Sequence, residues 1–499
     1  MVEQNRELER EKKVGANLEA SVEIVRRLFT DTPDLFVRRL TIKQTGEKAA
    51  LVFLQDMTDR ASLNRDILGP LQLEAGSADG EWVTNVAVVR RESVWSVLQE
   101  AIFEGDTVLL VDGRSDAFVL DTKGWPQRAI EDPQQEPSLK GAHQGFVETA
   151  SQNIAMIRRY IPHGQLKMRK FKVGERGNTN VCLLYLQDVA NPDIVDKLDK
   201  RIREVEVDII INTGELSEFI EDSPFALFPQ TISTERPDTA ASQILQGRCV
   251  IVVDRSPSVL VAPVNFMAFF QTVDDYSTRW SIATFLRLLR MFAFFAAIFL
   301  PGFYIAVLSF HFEIIPMKLL LTLGESRGQV PFPPFVEALL MEITLEMLRE
   351  AGVRLPSPIG QTVGIVGGIV IGQAVVQAGL ISNIMVIVVA FTAIASFIMP
   401  NADMTAAVRL MRFFIMIMAL LFGFAGLIVG FMILIGRLIG MNSVGTAYSS
   451  PFTPLRPSDW KDTLVRVPLR LMNMRPVSNR TKQLRRQSKI SDSRKRGST

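Results

Sequence analysis

Glu342, Glu346 and Glu350 recur every four residues, so a helix stacks their carboxylates on one face, with Arg349 beside them. Three like charges in a row repel unless water or cations stand between them. The row suits a solvated face at a membrane interface or, repeated around an oligomer, a ring that attracts cations. Downstream, Pro358–Ile381 carries no charge and places Gly364, Gly368 and Gly372 at i, i+4 and i+8. Small residues on one face let helix backbones approach closely in lipid, so these three read as a packing face. Thr362, Val366, Val370, Gln373 and Gln377 fall roughly opposite, a mildly polar face suited to a water path. The two glutamines equally suit hydrogen bonds across ordinary core helices. The chemistry on offer is helix packing or permeation, not bond making. The sequence holds no P-loop, dinucleotide fingerprint or zinc-protease pair. His143, His163 and His311 are its histidines, and none has a second ligand at metal spacing. No catalytic residue, metal or cofactor is expected, and the chain is not expected to be an enzyme.

The elements that carry these residues are read from charge and hydropathy. The chain has 499 residues and a net charge of +2, and Met474–Thr499 alone carries nine Lys/Arg against one Asp. The remainder is therefore acidic. A basic end suggests a cytoplasmic tail, 441–499, near anionic lipid and not a nucleic-acid partner. Cys182 and Cys249 lie in apolar runs, as buried thiols do, and exclude a disulfide framework. Residues 1–20 read as a charged arm without the apolar core of a signal peptide.

The first half repeats itself. Leu51-Val-Phe-Leu-Gln-Asp56 returns as Leu183-Leu-Tyr-Leu-Gln-Asp188, and Val108-Leu-Leu-Val-Asp112 returns as Val250-Ile-Val-Val-Asp254, in the same order. The matches suggest two related α/β modules, 21–125 and 145–275, joined by a Pro-, Gln- and Glu-rich linker over 126–144. Asp56 and Asp188 end strands and are expected to cap the helices that follow.

A helical membrane domain is expected over 285–440. Tyr276, Trp280, Arg279, Arg287 and Arg290 mark its cytoplasmic edge. Spans are placed at about 288–310, 359–381, 384–400 and 413–438, with Pro301 kinking the first. Phe335–Gly352 reads as an amphipathic helix and 401–412 as a loop. Four crossings put both termini inside but leave Arg409 and Arg412 on the outer side, against the positive-inside rule; a fifth crossing within 312–352 would move the tail outside.

Glu235-Arg-Pro-Asp238, Val330-Pro-Phe-Pro333, Glu337-Ala-Leu-Leu-Met-Glu342, Leu348-Arg-Glu-Ala-Gly-Val-Arg-Leu-Pro356 and Pro358-Ile-Gly-Gln361 carry a resemblance. They resemble the A subunits of the GerA family of spore germinant receptors, and the SpoVAF branch shares much of the pattern. The resemblance runs from about residue 20 to 475. It implies a multi-pass protein of the spore inner membrane with a two-part cytoplasmic N-terminal domain. It further implies a transporter-like B subunit and a lipoprotein C subunit as partners, and self-association into a ring that conducts cations when nutrient is sensed. A non-conducting scaffold subunit and a SpoVAF-like accessory channel are the alternatives.

Overall fold

The computed structural model describes residues 13–73, 84–86, 88–124, 133, 136, 138, 140–355, 368 and 372–486. The first half holds two five-stranded antiparallel sheets. The first comprises β1 (Leu35–Thr41), β2 (Lys48–Leu54), β3 (Val89–Glu92), β4 (Thr107–Val111) and β5 (Ala117–Leu120), in the order β1-β2-β4-β5-β3. The second comprises β6 (Leu166–Val173), β7 (Thr179–Leu186), β8 (Ile232–Thr234), β9 (Cys249–Val253) and β10 (Val259–Ala262), in the order β6-β7-β9-β10-β8. The two orders are the same once the strands are renumbered.

Each sheet is covered on both faces, which is why its central strands are apolar throughout and do not alternate with polar residues. Ala50, Val52 and Leu54 of β2 pack under α1 (Leu18–Leu28) and α2 (Trp95–Glu104), while Ala49, Leu51 and Phe53 face Leu63, Ile67 and Leu71 on the other side. In the second module Cys182, Leu184 and Leu186 of β7 lie beneath α3 (Ala150–Tyr160) and α6 (Pro237–Leu245). Val181, Leu183 and Tyr185 lie beneath α4 (Pro192–Arg203) and α5 (Thr213–Ile220). Cys182 and Cys249 are buried and unpaired.

The repeated aspartates have one job in both modules. Asp112 Oδ1 accepts from Leu18 N at 3.1 Å, and Asp254 Oδ1 accepts from Ala150 N at 3.1 Å. Each thus satisfies an orphan donor at the first turn of its module's leading helix. Asp56 and Asp188 are not the caps expected of them. The caps lie three residues later, where Asp59 accepts from Ala61 N and Asn191 from Asp193 N. The strand exit uses a turn before the helix starts, which displaces the cap along the chain.

The modules meet through α3. Arg158, buried, donates to Asp34 at 2.9 Å, and Ala155 joins the first module's core.

The second half is helical: α7 (Trp280–Phe310), α8 (Met317–Arg327), α9 (Pro334–Arg354), α10 (Asn383–Phe397) and α11 (Ala402–Gly440). Among the described residues, α7 and α11 are long and apolar enough to cross a membrane, and α10 is a shorter apolar helix. The single span expected over 413–438 is folded back on itself. Gly423 has φ 56° and ψ −131°, a conformation only glycine adopts without strain. A Cβ built on Gly430 would meet the Ile415 side chain, although fifteen residues of continuous helix would hold them ~22 Å apart. The segment 401–412, expected as a loop, is instead the start of this helix, capped by Asn401 accepting from Met404 N at 2.9 Å. The expected span 359–381 lies largely outside the described residues.

The basic tail is not a free arm over 441–486. Ser443 Oγ donates to Gln230 O at 2.7 Å, Arg475 Nε donates to Leu245 O at 2.8 Å, and Asn479 Nδ2 donates to Gln246 O at 3.0 Å. These bonds fold it against the second module.

Candidate functional site

Charged side chains are buried between the apolar helices, and their partners give the helix directions. α7 and the first limb of α11 run parallel: Arg412 meets residue 297, Ile415 packs at Gly302, and Phe310 packs at Gly423. The second limb runs back, so Phe431 packs against Phe295 and edge-on to Phe299 while Phe424 meets Phe303. α10 starts where α7 is ending, with Ser382 Oγ 3.1 Å from Tyr304 Oη. α9 runs alongside α10, with Glu337 accepting from Ser382 N at 3.0 Å at one end and Arg349 over the Phe397 ring at the other. We call the side where α7 begins the near side and the side where it ends the far side.

The centre of the cluster is Arg412, 2% exposed. Its guanidinium donates to Glu342 Oε2 at 2.5 Å, to Ser396 Oγ at 2.6 Å and to Ala297 O at 2.7 Å. The last bond has a cause in the sequence. The intrahelical donor to Ala297 O would be the N–H of residue 301, which is Pro301 and has none. Pro301 therefore frees a carbonyl inside an apolar layer, and Arg412 fills it. One side chain joins α7, α9, α10 and α11. Toward the far side, Glu337, fully buried, pairs with Arg327 at 3.1 Å. Toward the near side, Glu346 pairs with Arg349 at 3.2 Å and Arg409 at 3.3 Å, and Glu350 with Arg354 at 2.5 Å.

This corrects the reading of the glutamate row. Glu342 is 1% exposed and paired with Arg412, so it leaves the solvated face expected of the row, whereas Glu346 is partly exposed beside Arg349 and Glu350 is exposed beside Arg354. α9 packs along α7 and α10, with Glu337 and Glu342 among its most buried side chains.

Of the expected water-path face, Gln373 and Gln377 are exposed, while Thr362, Val366 and Val370 lie outside the described residues. Of the packing face, a Cβ on Gly368 or Gly372 would meet nothing within 4 Å, and Gly364 lies outside the described residues. Among the described residues, then, Gly368 and Gly372 have no close neighbour.

A second charged cluster, whose pairing the sequence did not reveal, joins the end of the second module and the tail to the near end of α7. Arg287 Nε donates to Asp275 at 2.9 Å and Arg287 Nη1 to Asp462 at 3.0 Å; Arg290 also holds Asp275, at 2.9 Å. Tyr276 Oη donates to Asp462 at 2.9 Å. Burial raises the Asp462 carboxyl above the usual carboxylate range, opposed by the Arg287 guanidinium, and burial also pushes the Tyr276 phenol up. Residue 462 lies 175 positions from Arg287, too far for any spacing rule to pair them.

A tandem α/β region followed by apolar helices with charged side chains paired between them defines the class: a two-module α/β half joined to a helical half. The family model for Bacillus/Clostridium GerA spore germination protein matches residues 23–478, and the chain belongs to this family. It is 37% identical over 480 residues to spore germination protein KA of Bacillus subtilis (strain 168), covering 95% of this chain and 88% of that one. It is 36% identical over 456 residues to spore germination protein GerLA of Bacillus cereus, covering 90% and 93%. A further relative, at 36% over 469 residues and covering 93% and 91%, is the uncharacterized membrane protein YfkQ of Bacillus subtilis (strain 168). Among solved structures, the N-terminal domain of the A subunit of the Bacillus megaterium spore germinant receptor GerK3 matches at 24% identity and a TM-score of 0.40. That match covers 51% of this chain and 98% of that one.

Proposed function

We propose that this chain is the A-type membrane subunit of a nutrient germinant receptor, that it assembles into a ring, and that the ring conducts cations when nutrient is sensed. It acts without catalysing a covalent step. A transporter-like B subunit and a lipoprotein C subunit are its partners, and the spore inner membrane is its location. The single observation that carries the reading is the Arg412 cluster. Buried ionisable groups within apolar helices are costly and mark conduction or switching machinery.

The helix directions support six crossings, against the four or five expected from hydropathy. α7 runs outward, α9 inward, the connection from Arg354 to Ser382 outward, α10 inward, and the two limbs of α11 outward and inward. The count returns the chain after Gly440 to the near side. Arg287, Arg290, Arg349, Arg354, Arg409 and Arg437 then all lie toward that side, together with the tail, as the positive-inside rule asks of a cytoplasmic face. Arg409, out of place with four crossings, ceases to conflict.

The uncharged stretch Pro358–Ile381, with Val366 and Val370 one turn apart, is the candidate pore lining. An apolar ring closes a pore by dewetting. Potassium release from spores in nutrient-free buffer tests this. Val366→Ala and Val366→Ser raise resting leak if the ring gates the pore; retention at the level of the parent spores removes this face from the pore. Purified receptor that assembles fully but passes no ions in liposomes makes the chain a scaffold instead.

A further inference from the structure

The loop Asp222–Gln230 presents an aromatic side chain to the outside from a closed frame. Gln230 is buried and staples the loop ends: its Oε1 accepts from Asp222 N at 3.0 Å and Ser223 N at 3.2 Å, and its Nε2 donates to Ser223 O at 2.7 Å. Glu221 closes the frame by accepting from Gln230 N at 3.1 Å. Phe228 points into the core, whereas Phe225 is 97% exposed and Leu227 is exposed beside it. A side chain of that size costs free energy in water and gains nothing from the fold.

The loop's position says what covers it. Gln230 O accepts from Ser443 Oγ at 2.7 Å, and Asp222 Oδ2 accepts from Gly445 N at 3.2 Å. Both ends of the loop are therefore pinned to the chain three to five residues after the last apolar helix ends at Gly440. The loop thus sits beside the near-side end of the second limb of α11.

We propose that this loop is a lipid anchor of the soluble half, with Phe225 and Leu227 seated in the headgroup–acyl boundary of the inner leaflet. The inference rests on the reading that α7 and α11 cross a membrane with their near ends at the cytoplasmic face. Amphipathic and aromatic groups concentrate at that boundary because it accepts apolar surface beside polar backbone. A rigid frame lowers the ordering cost of insertion. Anchored there, the second module is held at fixed height beneath the helices that Arg287 and Asp462 tie to it.

The test uses the full chain with Phe225→Cys. The native thiols Cys182 and Cys249 are buried and pushed up to about 12, so a cysteine-directed fluorophore reports position 225 selectively. The labelled protein is placed in nanodiscs of phosphatidylethanolamine and phosphatidylglycerol, with labels at Phe292→Cys and Ile428→Cys as controls on outward faces of α7 and α11. Shallow spin-labelled lipid should quench the position 225 label by roughly half, and aqueous iodide should quench it weakly. If lipid quenches the controls but iodide reaches position 225 freely, the loop is not an anchor and the membrane reading stands. If position 225 is shielded from both quenchers, protein covers it, a second copy or a partner, and the lipid proposal is overturned. If lipid quenches none of the three positions, the membrane reading fails and the anchor with it.

Discussion

Replacing Arg412 by leucine removes three bonds at once: those to Glu342, to Ser396 and to Ala297 O. Two of the partners cannot turn to water. Glu342 is buried, and breaking a buried pair by deleting one member costs about 3–5 kcal/mol because the other charge stays uncompensated. The Ala297 carbonyl lacks its intrahelical donor because residue 301 is proline, and a bare buried carbonyl costs about 1–3 kcal/mol. Proton uptake by Glu342 limits the first penalty, so Arg412→Leu should destabilise the chain by about 4–6 kcal/mol. The assay is unfolding of the full-length protein in detergent, followed by tryptophan emission, on a cycle of Arg412→Leu, Glu342→Leu and the double variant. The double variant should be less damaged than the sum of the singles by about 2 kcal/mol or more, since removing both charges leaves neither stranded. A second cycle isolates the carbonyl. Pro301→Ala restores an N–H for Ala297 O and should return about 1 kcal/mol in the Arg412→Leu background. Additivity within about 0.5 kcal/mol in both cycles would refute the argument, because it would mean that Arg412 touches these groups without supporting them.

Three further outcomes are expected. Gly423→Ala should destabilise the α11 hairpin by about 1–3 kcal/mol, because a Cβ there forces a strained backbone and meets the Phe310 ring at 3.0 Å; melting unchanged from the parent would mean the reversal is not glycine-dependent. Asp112→Ala and Asp254→Ala should each cost about 1 kcal/mol and cause local opening of α1 and α3 respectively, read by amide hydrogen exchange; equal protection in parent and variant would remove the shared role. Burial raises the Glu136 carboxyl to about 7, against its hydrogen bond from Thr234 and the Arg236 guanidinium, so the folded segment favours the protonated form. Its contribution is present in full below the unfolded pKa and is lost as pH rises through about 7. Proteolytic cutting within 126–144 should therefore increase with pH across that window and become pH-independent in Glu136→Gln; a flat parent profile would remove the coupling.

Local pattern carried the α/β half. Thr107–Val111 and Ala117–Leu120 are strands at the residues where β-branched and aromatic runs flank Asp112-Gly113, because that signal is contained in a few neighbouring positions. The repeat likewise marked Asp112 and Asp254 as equivalent, since both occupy the end of the same strand. Their bonds to Leu18 N and Ala150 N, 94 and 104 residues away, were beyond the reach of spacing. In the helical half, hydropathy found the apolar stretches but not where they turn. Gly423 sits in an unbroken apolar run, Phe413–Gly436, and only the packing of Phe424 and Phe431 back onto α7 reveals the reversal.

The amino-acid sequence by itself determined which half is α/β and which is apolar helix, because burial demands, β-propensity and apolar length are properties of neighbours along the chain. Tertiary structure alone decided which charges distant along the chain meet. Glu342 read as one of three repelling carboxylates because a helical face shows its neighbours at i±4 and not the guanidinium that arrives from 70 residues away. Pro301 read as a kink for the same reason: the sequence shows the missing N–H, and only packing brings Arg412 to the carbonyl it leaves bare. Buried among apolar side chains, an unpaired carbonyl or carboxylate is costly, which favours that pairing.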